Sequence, residues 1–282
     1  EGSWNRLCNL EEPEAKIGFC DYIYISHIHP DHFDEQFLQC YLGLHPGSKI
    51  IVSERRNNFL YSRCQLLGFP LVALCKLQYG QSTIRIIPDE SNGISSIDSL
   101  LIVLSNGITV VNTNDMNLSG EHIDELGSLD IDILLHKYCW PGSYPALFDM
   151  DQIHKTLEKN KAIQNAKSAY MDRVNLFSPR VSVPFAGSCV WMHHPVDVSA
   201  FRSIYDPIEL NDLSPQTFIP HEDGTSSLKI NNSYELERIN ERRHSIVLNP
   251  GDKVEYVHDS VFNIIDSQPL VPYIQKSILK AF

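Results

Sequence analysis

Apolar residues recur along this chain in short runs broken by polar punctuation, and their spacing alternates between the period of a strand and that of a helix. Tyr22–Ser26 reads as a strand, and Asp34-Glu35-Gln36-Phe37-Leu38 opens a helix with acidic residues in its first turn. Lys49–Ser53 is a second strand, and Asn57–Gly68 a helix ended by glycine. Leu71–Leu77 and Ser82–Pro88 read as further strands. The hairpin signal is the strongest of the turn signals: Ser99–Leu104, then Ser105-Asn106-Gly107, then Ile108–Asn112. An Asn-Gly step supplies the positive φ angles of a tight turn between two strands. Ser119 is expected to cap a helix over Glu121–Leu126, and Ile131–Leu135 is another buried strand. Met150–Asp172 is expected to be a long polar helix with Ile153, Leu157 and Ile163 on its core stripe. Beyond residue 200 the pattern weakens, leaving a strand at Val254–Val257 and a terminal helix at Ile274–Phe282. Alternating β and α elements of this kind predict an α/β protein whose sheets are covered by helices.

One stretch does not fit packing alone. Ser26-His27-Ile28-His29-Pro30-Asp31-His32 leaves the first strand with three histidines and an aspartate. In extended chain His27 and His29 project to the same side, and Pro30 then turns Asp31 and His32 toward a neighbouring point. Imidazole nitrogens with a carboxylate oxygen suit zinc, iron or manganese.

This pattern resembles the metal-binding signature of the metallo-β-lactamase superfamily, and Thr113-Asn114-Asp115 closes a strand where that superfamily has its second acidic ligand. Pro179–Gly187, followed by His193-His194-Pro195, is similar to the metallo-β-lactamase-like part of CMP-N-acetylneuraminic acid hydroxylase and its bacterial relatives. The resemblance runs from Gly2 to about residue 228. It implies a four-layered αββα sandwich, a metallo-β-lactamase-like domain over 1–228 and a C-terminal extension over 229–282. The resembled fold has several strands ahead of its first histidine motif, so a segment preceding Glu1 is expected.

The resemblance also implies a ligand set. His27 and His29 would serve a first metal, Asp31 and His32 a second, and Asp115 would bridge them, with His194 completing the site. Asp31 would orient or deprotonate the attacking water. One or two divalent transition metals are implied, zinc first, with iron or manganese as alternatives. The family's additional histidine before the hairpin has no counterpart here: Ile94 stands near its position, and Asp89, Glu90 and Asp98 are candidate substitutes or supporting residues. His193, His221, His136, Lys137, Tyr138 and Arg180 are candidates for substrate contact, with Arg suited to bidentate recognition of phosphate or carboxylate. His45, His122, His154, His244 and His258 read as structural or solvated.

Charge and cysteine usage narrow the partners. A net charge of −12 without a Lys/Arg run argues against a nucleic-acid footprint but leaves room for an anionic small substrate in a local pocket. Seven cysteines without a C-x-x-C pair read as free thiols, with Cys40, Cys64 and Cys75 expected inside. No apolar run reaches membrane-spanning length and none reads as a signal peptide, so a cytoplasmic protein is expected. Three functions compete. The first is a metallohydrolase acting on a phosphorylated or nucleotide-linked small molecule. The second is an iron-dependent oxygenase on a sugar or nucleotide-sugar, needing a redox partner because this chain has no Cys-x-His and Cys-x-x-His pairs. The third is a nucleotide-sugar-binding module without catalysis.

Overall fold

The computed structural model describes residues 13–55, 58–89, 97–140 and 142–185 in full. It adds Ser203 and the backbone of residues 4–5, 190–191, 218–220, 226–228, 253–257 and 261–265. The first elements are β1 (Trp4–Asn5), α1 (Pro13–Lys16), β2 (Tyr22–Tyr24), α2 (Glu35–Leu44), β3 (Lys49–Ser53) and α3 (Phe59–Leu66). Then come β4 (Leu71–Leu74), β5 (Lys76–Tyr79), β6 (Ser82–Pro88), β7 (Ser99–Ser105), β8 (Ile108–Asn112), α4 (Gly120–Gly127) and β9 (Ile133–Lys137). The remainder is α5 (Gln152–Phe177), β10 (Val181–Phe185), β11 (Val190–Trp191), β12 (Phe218–Pro220), β13 (Ser226–Leu228), β14 (Lys253–Val257) and β15 (Val261–Ile265). The chain divides into two units, Glu11–Leu135 and a second built from Glu1–Leu10 with His136–Phe282.

The first unit is organised by β3. Ile50, Ile51 and Val52 are each 0–2% exposed, the continuous apolar run of a strand covered on both faces. β3 pairs in parallel with β2 and with β4. Because side chains alternate, Ile50 and Val52 pack with Leu38, Tyr41 and Leu42 of α2 and with Leu60 and Cys64 of α3. Ile51 faces the other way, packing with Leu74 and Ile86 and with the partly buried Tyr22, Tyr24, Leu77, Ile84 and Leu101. The result is a helix layer, a parallel sheet and a second sheet. Each of the three β3 side chains contributes on the order of 1.5–3 kcal/mol by leaving water.

The helices stop and start on expected residues. Asp34 caps α2 by accepting the Phe37 N–H at 2.9 Å, and Asn58 caps α3 by accepting the Tyr61 N–H at 3.0 Å. Gly68, at φ +69°, ends the α3 segment. The strand expected over Leu71–Leu77 is two strands. β4 belongs to the parallel sheet, β5 pairs antiparallel with β6, and the chain changes sheet at Cys75. Alternation breaks at the switch, where Cys75 and Lys76 are both exposed between the inward-facing Leu74 and Leu77, but the near-continuous apolar letters of this segment hide the break.

In the second sheet of this unit, β5, β6, β7 and β8 run antiparallel in sequence order and β9 lies parallel to β8. The β7–β8 hairpin turns at Asn106 (φ +52°) and Gly107 (φ +79°), as the Asn-Gly step predicts. α4 supplies the crossover from β8 to β9, and Glu125 on it pairs with Arg85 of β6. His122 is structural, as expected: its Nδ1 accepts the Ser119 N–H at 3.1 Å at the start of α4.

In the second unit, α5 is capped by Asp151, which accepts the His154 N–H at 2.9 Å. It buries Ala166, Tyr170, Val174 and Phe177. Ile163 packs against this cluster as expected, but Ile153 and Leu157 are 74% and 59% exposed and do not belong to the stripe. The reason is helical phase: Leu157 precedes Ala166 by about two and a half turns at ~3.6 residues per turn, which puts it on the opposite face. Cys64 is buried as expected, whereas Cys40 and Cys75 are exposed. β14 realises the strand expected at Val254–Val257, in an antiparallel sheet of order β12-β13-β15-β14. The helix expected over 274–282 lies outside the described residues, as do Glu90, Ile94, His193, His194, His221, His244 and His258. Among the described residues no helix is long and apolar enough to cross a membrane.

Candidate metal centre

Ile25 continues the path of β2 by donating its N–H to Ile51 O at 3.2 Å, and the Ser26–His32 loop departs from that carboxyl end of the parallel sheet. The loop is closed by two bonds to one acceptor: the N–H groups of His32 and Phe33 donate to His29 O at 2.9 and 2.8 Å. Pro30 and Asp31 form the turn, and Phe33, 5% exposed, anchors it in the core.

His27 is 1% exposed, and its environment sets its tautomer. Nδ1 lies 3.2 Å from Asp98 Oδ1 and 3.0 Å from Ser26 Oγ, while Nε2 lies 2.8 Å from His29 Nδ1. A carboxylate only accepts, so the hydrogen-bond network assigns the proton to His27 Nδ1 and leaves the Nε2 lone pair facing His29. Asp98 Oδ1 also accepts the Ser99 N–H at 2.7 Å. The Asp98 backbone is fixed as well, its carbonyl accepting from Asp89 N–H at 2.9 Å and from the Arg55 guanidinium at 2.9 Å.

His32 lies beside His27, with ring centroids 4.2 Å apart and its Nδ1 3.4 Å from the same Ser26 Oγ. Its Nε2 lies 3.3 Å from Asp115 Oδ2 and 3.7 Å from Asp31 Oδ2. Burial pulls His32 down, but the Asp115 hydrogen bond, with the charges of Asp115, Asp31 and Asp98, outweighs it and the net shift is upward. His29 goes the other way, lowered first by burial and then by His27.

Asp115 is delivered by β8. Past that strand Thr113 N–H donates to Leu135 O at 3.0 Å, and Asn114 takes up φ +47°, a conformation Asn tolerates better than most residues. Asn114 is held there by three bonds. Its N–H donates to Asn112 Oδ1 at 2.9 Å, and its side-chain amide donates to Tyr24 Oη at 3.1 Å and to Ser99 O at 3.0 Å. The Tyr24 hydroxyl donates to Ser99 O at 2.7 Å, and Ser99 Oγ donates to Ser26 O at 3.0 Å. Burial pushes the Tyr24 hydroxyl well above its ordinary range, so it stays a neutral donor. This small network joins β2, β7 and the end of β8 directly beneath the two loops.

One donor atom each from His27, His32 and Asp115 lie within 4.8 Å of one another. Two imidazoles and a carboxylate match the donor chemistry of zinc, iron or manganese. His29 stands against His27, with ring centroids 4.5 Å apart, and Asp31 stands at the edge with its side chain 46% exposed. The three donors were all named from the sequence. Tyr24, Ser26, Ser99, Asn114 and Arg55 were given no role there, although Ser26 and Asn114 stand within the quoted motifs; of these only the Asn before Asp115 carried a local signal, as a residue suited to left-handed backbone.

The other sequence candidates sit in the second unit. His136 is 5% exposed and stacks on Tyr170 at 6.0 Å; burial, reinforced by Lys137 and Arg173, pushes it down to about 3. Tyr138 and Cys139 are buried with Ala166, Tyr170 and Val174. Lys137 and Arg180 are half-buried.

No family model matches the chain. Proteins assigned as Rieske 2Fe-2S iron–sulfur proteins in two strains of Mycobacterium tuberculosis are 26% identical to it over 186 residues, covering 61% of this chain and 34% of theirs. The chain thus spans about a third of the length of these curated relatives. Similar solved structures include a CmlA β-hydroxylase variant (16% identical, TM-score 0.44, 61% of this chain and 38% of that one). They also include isothiocyanate hydrolase from Delia radicum gut bacteria (13%, TM-score 0.44, 82% and 74%) and the metallo-β-lactamase fold protein YhfI from Bacillus subtilis (16%, TM-score 0.38, 60% and 66%).

Proposed function

We propose that this chain is the catalytic module of a metal-dependent enzyme of the metallo-β-lactamase superfamily, a hydrolase acting on a phosphorylated or nucleotide-linked small molecule. The observation that supports it best is the convergence of His27, His32 and Asp115 within 4.8 Å. These three would hold a divalent transition metal, zinc first, with His29 and Asp31 beside them. Bound there, such a metal would polarise a substrate oxygen and make hydroxide available near neutral pH. The chain's own groups prepare the reaction. Asp98 stands 3.2 Å behind His27 Nδ1, and the Tyr24–Ser99–Asn114 network holds Asp115 at its strand end. Asp31, partly exposed beside His32, is the residue assigned to orient water and accept its proton.

The test combines metal content with Asp31→Asn. Protein purified without added metal is expected to retain zinc. Asp31→Asn is nearly isosteric on a partly exposed loop, so it should melt as the parent does while losing at least about 100-fold in turnover of phosphodiester, phosphomonoester or ester probes. Full turnover by the variant overturns the role of Asp31, and a parent that retains no metal favours the nucleotide-sugar-binding module instead.

A second reading has a specific observation behind it. The M. tuberculosis relatives carry a Rieske name and are about three times as long as the matched share. The sialic acid hydroxylase group that the Pro179–Gly187 segment resembles also couples a Rieske centre to this fold. On that reading the chain is the iron-dependent oxygenase module of a longer protein or complex. Iron in place of zinc, with oxygen uptake driven by an added reductant, is the result expected from it.

A further inference from the structure

The candidate metal centre contains a buried carboxylate that its three converging donors do not use. Asp98 is 7% exposed, and its two oxygens are unequal. Oδ1 takes the His27 Nδ1 contact at 3.2 Å and the Ser99 N–H at 2.7 Å, whereas Oδ2 is buried with no hydrogen-bond partner among the described residues. Leaving a buried carboxylate oxygen without a donor is costly, so if capping the Ser99 N–H were the only task a smaller neutral acceptor would serve better. The surroundings also fix Asp98 tightly: its carbonyl is gripped by Arg55 and by Asp89 N–H, and Arg55 grips the carbonyl of Ile97 next to it. That is a large investment in where one carboxylate points, and it points at the back of one imidazole.

We propose that Asp98 is a positioning residue that acts through His27, holding the proton on Nδ1 so that Nε2 is the nitrogen presented to a metal. The proposal rests on the metal-binding reading above. A carboxylate behind an imidazole fixes ring orientation and raises the basicity of the far nitrogen, and loss of such a partner typically lowers metal affinity about 10–100-fold. The same assignment propagates one residue further. In the metal-free protein, with Nδ1–H of His27 committed to Asp98, Nε2 accepts from Nδ1–H of His29, and a metal taking that Nε2 lone pair would displace this hydrogen bond. Asp98 thereby sets the proton positions of two of the three loop histidines from the position just before β7.

The experiment uses the full chain, zinc as the probe, and nitrogen NMR of the histidine rings. In the metal-stripped parent the His27 shifts should report the Nδ1–H tautomer, and Asp98→Ala should give a mixture of tautomers. Zinc affinity, measured by competition with a chromophoric chelator, should fall about 10–100-fold in Asp98→Ala and less in Asp98→Asn, which keeps an acceptor at Oδ1. In a His27→Gln background Asp98→Asn should change zinc affinity less than about twofold, because the effect runs through the missing ring. An unchanged His27 tautomer in Asp98→Ala overturns the proposal, as does an equal loss of zinc affinity with and without His27, which would make Asp98 a direct ligand. Should Asp98→Ala fail to fold, Asp98→Asn and the double variant decide alone. A parent that binds no zinc, cobalt or iron overturns the metal reading instead, and the His27 shifts still decide the tautomer.

Discussion

Burial acts on His32 and His136 in the same direction, yet the two residues end on opposite sides of an ordinary histidine. His32 has Asp115 within 3.3 Å and is raised; His136 has Lys137 and Arg173 as its charged neighbours and falls to about 3. For His136 the unfolded chain, at about 6.5, takes up a proton that the folded chain refuses until about 3. Its contribution to stability is therefore complete above about pH 6.5 and is lost as the pH falls toward 3. Between about pH 7 and pH 5 this amounts to roughly 2 kcal/mol. His136→Gln, which stays neutral, is expected to flatten the fall in Tm over that interval; an unchanged slope would assign the acid sensitivity elsewhere. Legibility at this scale followed chemistry. His27, His32 and Asp115 stood out because few roles other than ligation suit that set of side chains at strand ends. The engagement of Asp98 with His27 depends on the register of two separate loops, which no local pattern carries.

Among the elements, the β7–β8 hairpin was readable to the residue because Asn-Gly leaves the backbone few alternatives. Gly107 sits at φ +79°, and a Cβ built on it meets nothing within 4 Å, so the cost of a side chain there is purely one of backbone conformation. Gly107→Ala is expected to destabilise by about 1–2 kcal/mol in urea unfolding, and Gly107→Asn by clearly less. An Ala variant as stable as the parent would mean that the turn is not held in this form. Elements failed to read where phase or partner mattered more than composition. Ile153 and Leu157 looked like a stripe until the continuing register of Ala166, Tyr170 and Val174 set the buried face, and Cys75 hides a change of sheet inside one apolar run.

For the whole molecule, the decisive quantity is charge at the site. The chain carries a net charge of −12, and Asp31, Asp98 and Asp115 all lie within 3.7 Å of loop histidines. A cation relieves that concentration of negative charge, and an anionic substrate needs it relieved first. Zinc at about one hundred times its dissociation constant should stabilise the fold by about 2.7 kcal/mol, read as a rise in Tm of roughly 5 °C or more. EDTA should reverse the rise, and inorganic phosphate should bind only to the loaded protein. A melt indifferent to zinc, or phosphate binding to the stripped protein, would contradict this.

The bonds beneath the centre carry a consequence for the order of assembly. β2, β3 and β4 with their helices form from near neighbours in the chain, and so does the β6–β7–β8 meander. Tyr24 meets Ser99 across 75 residues and Asn114 across 90, and those encounters help to bring the two loops together. Closing such long loops is entropically slower than forming either half. The centre is thus an internal witness to completed folding. During refolding, secondary structure should return before the capacity to capture a metal, and the interval between the two measures how long the two sheets take to find each other.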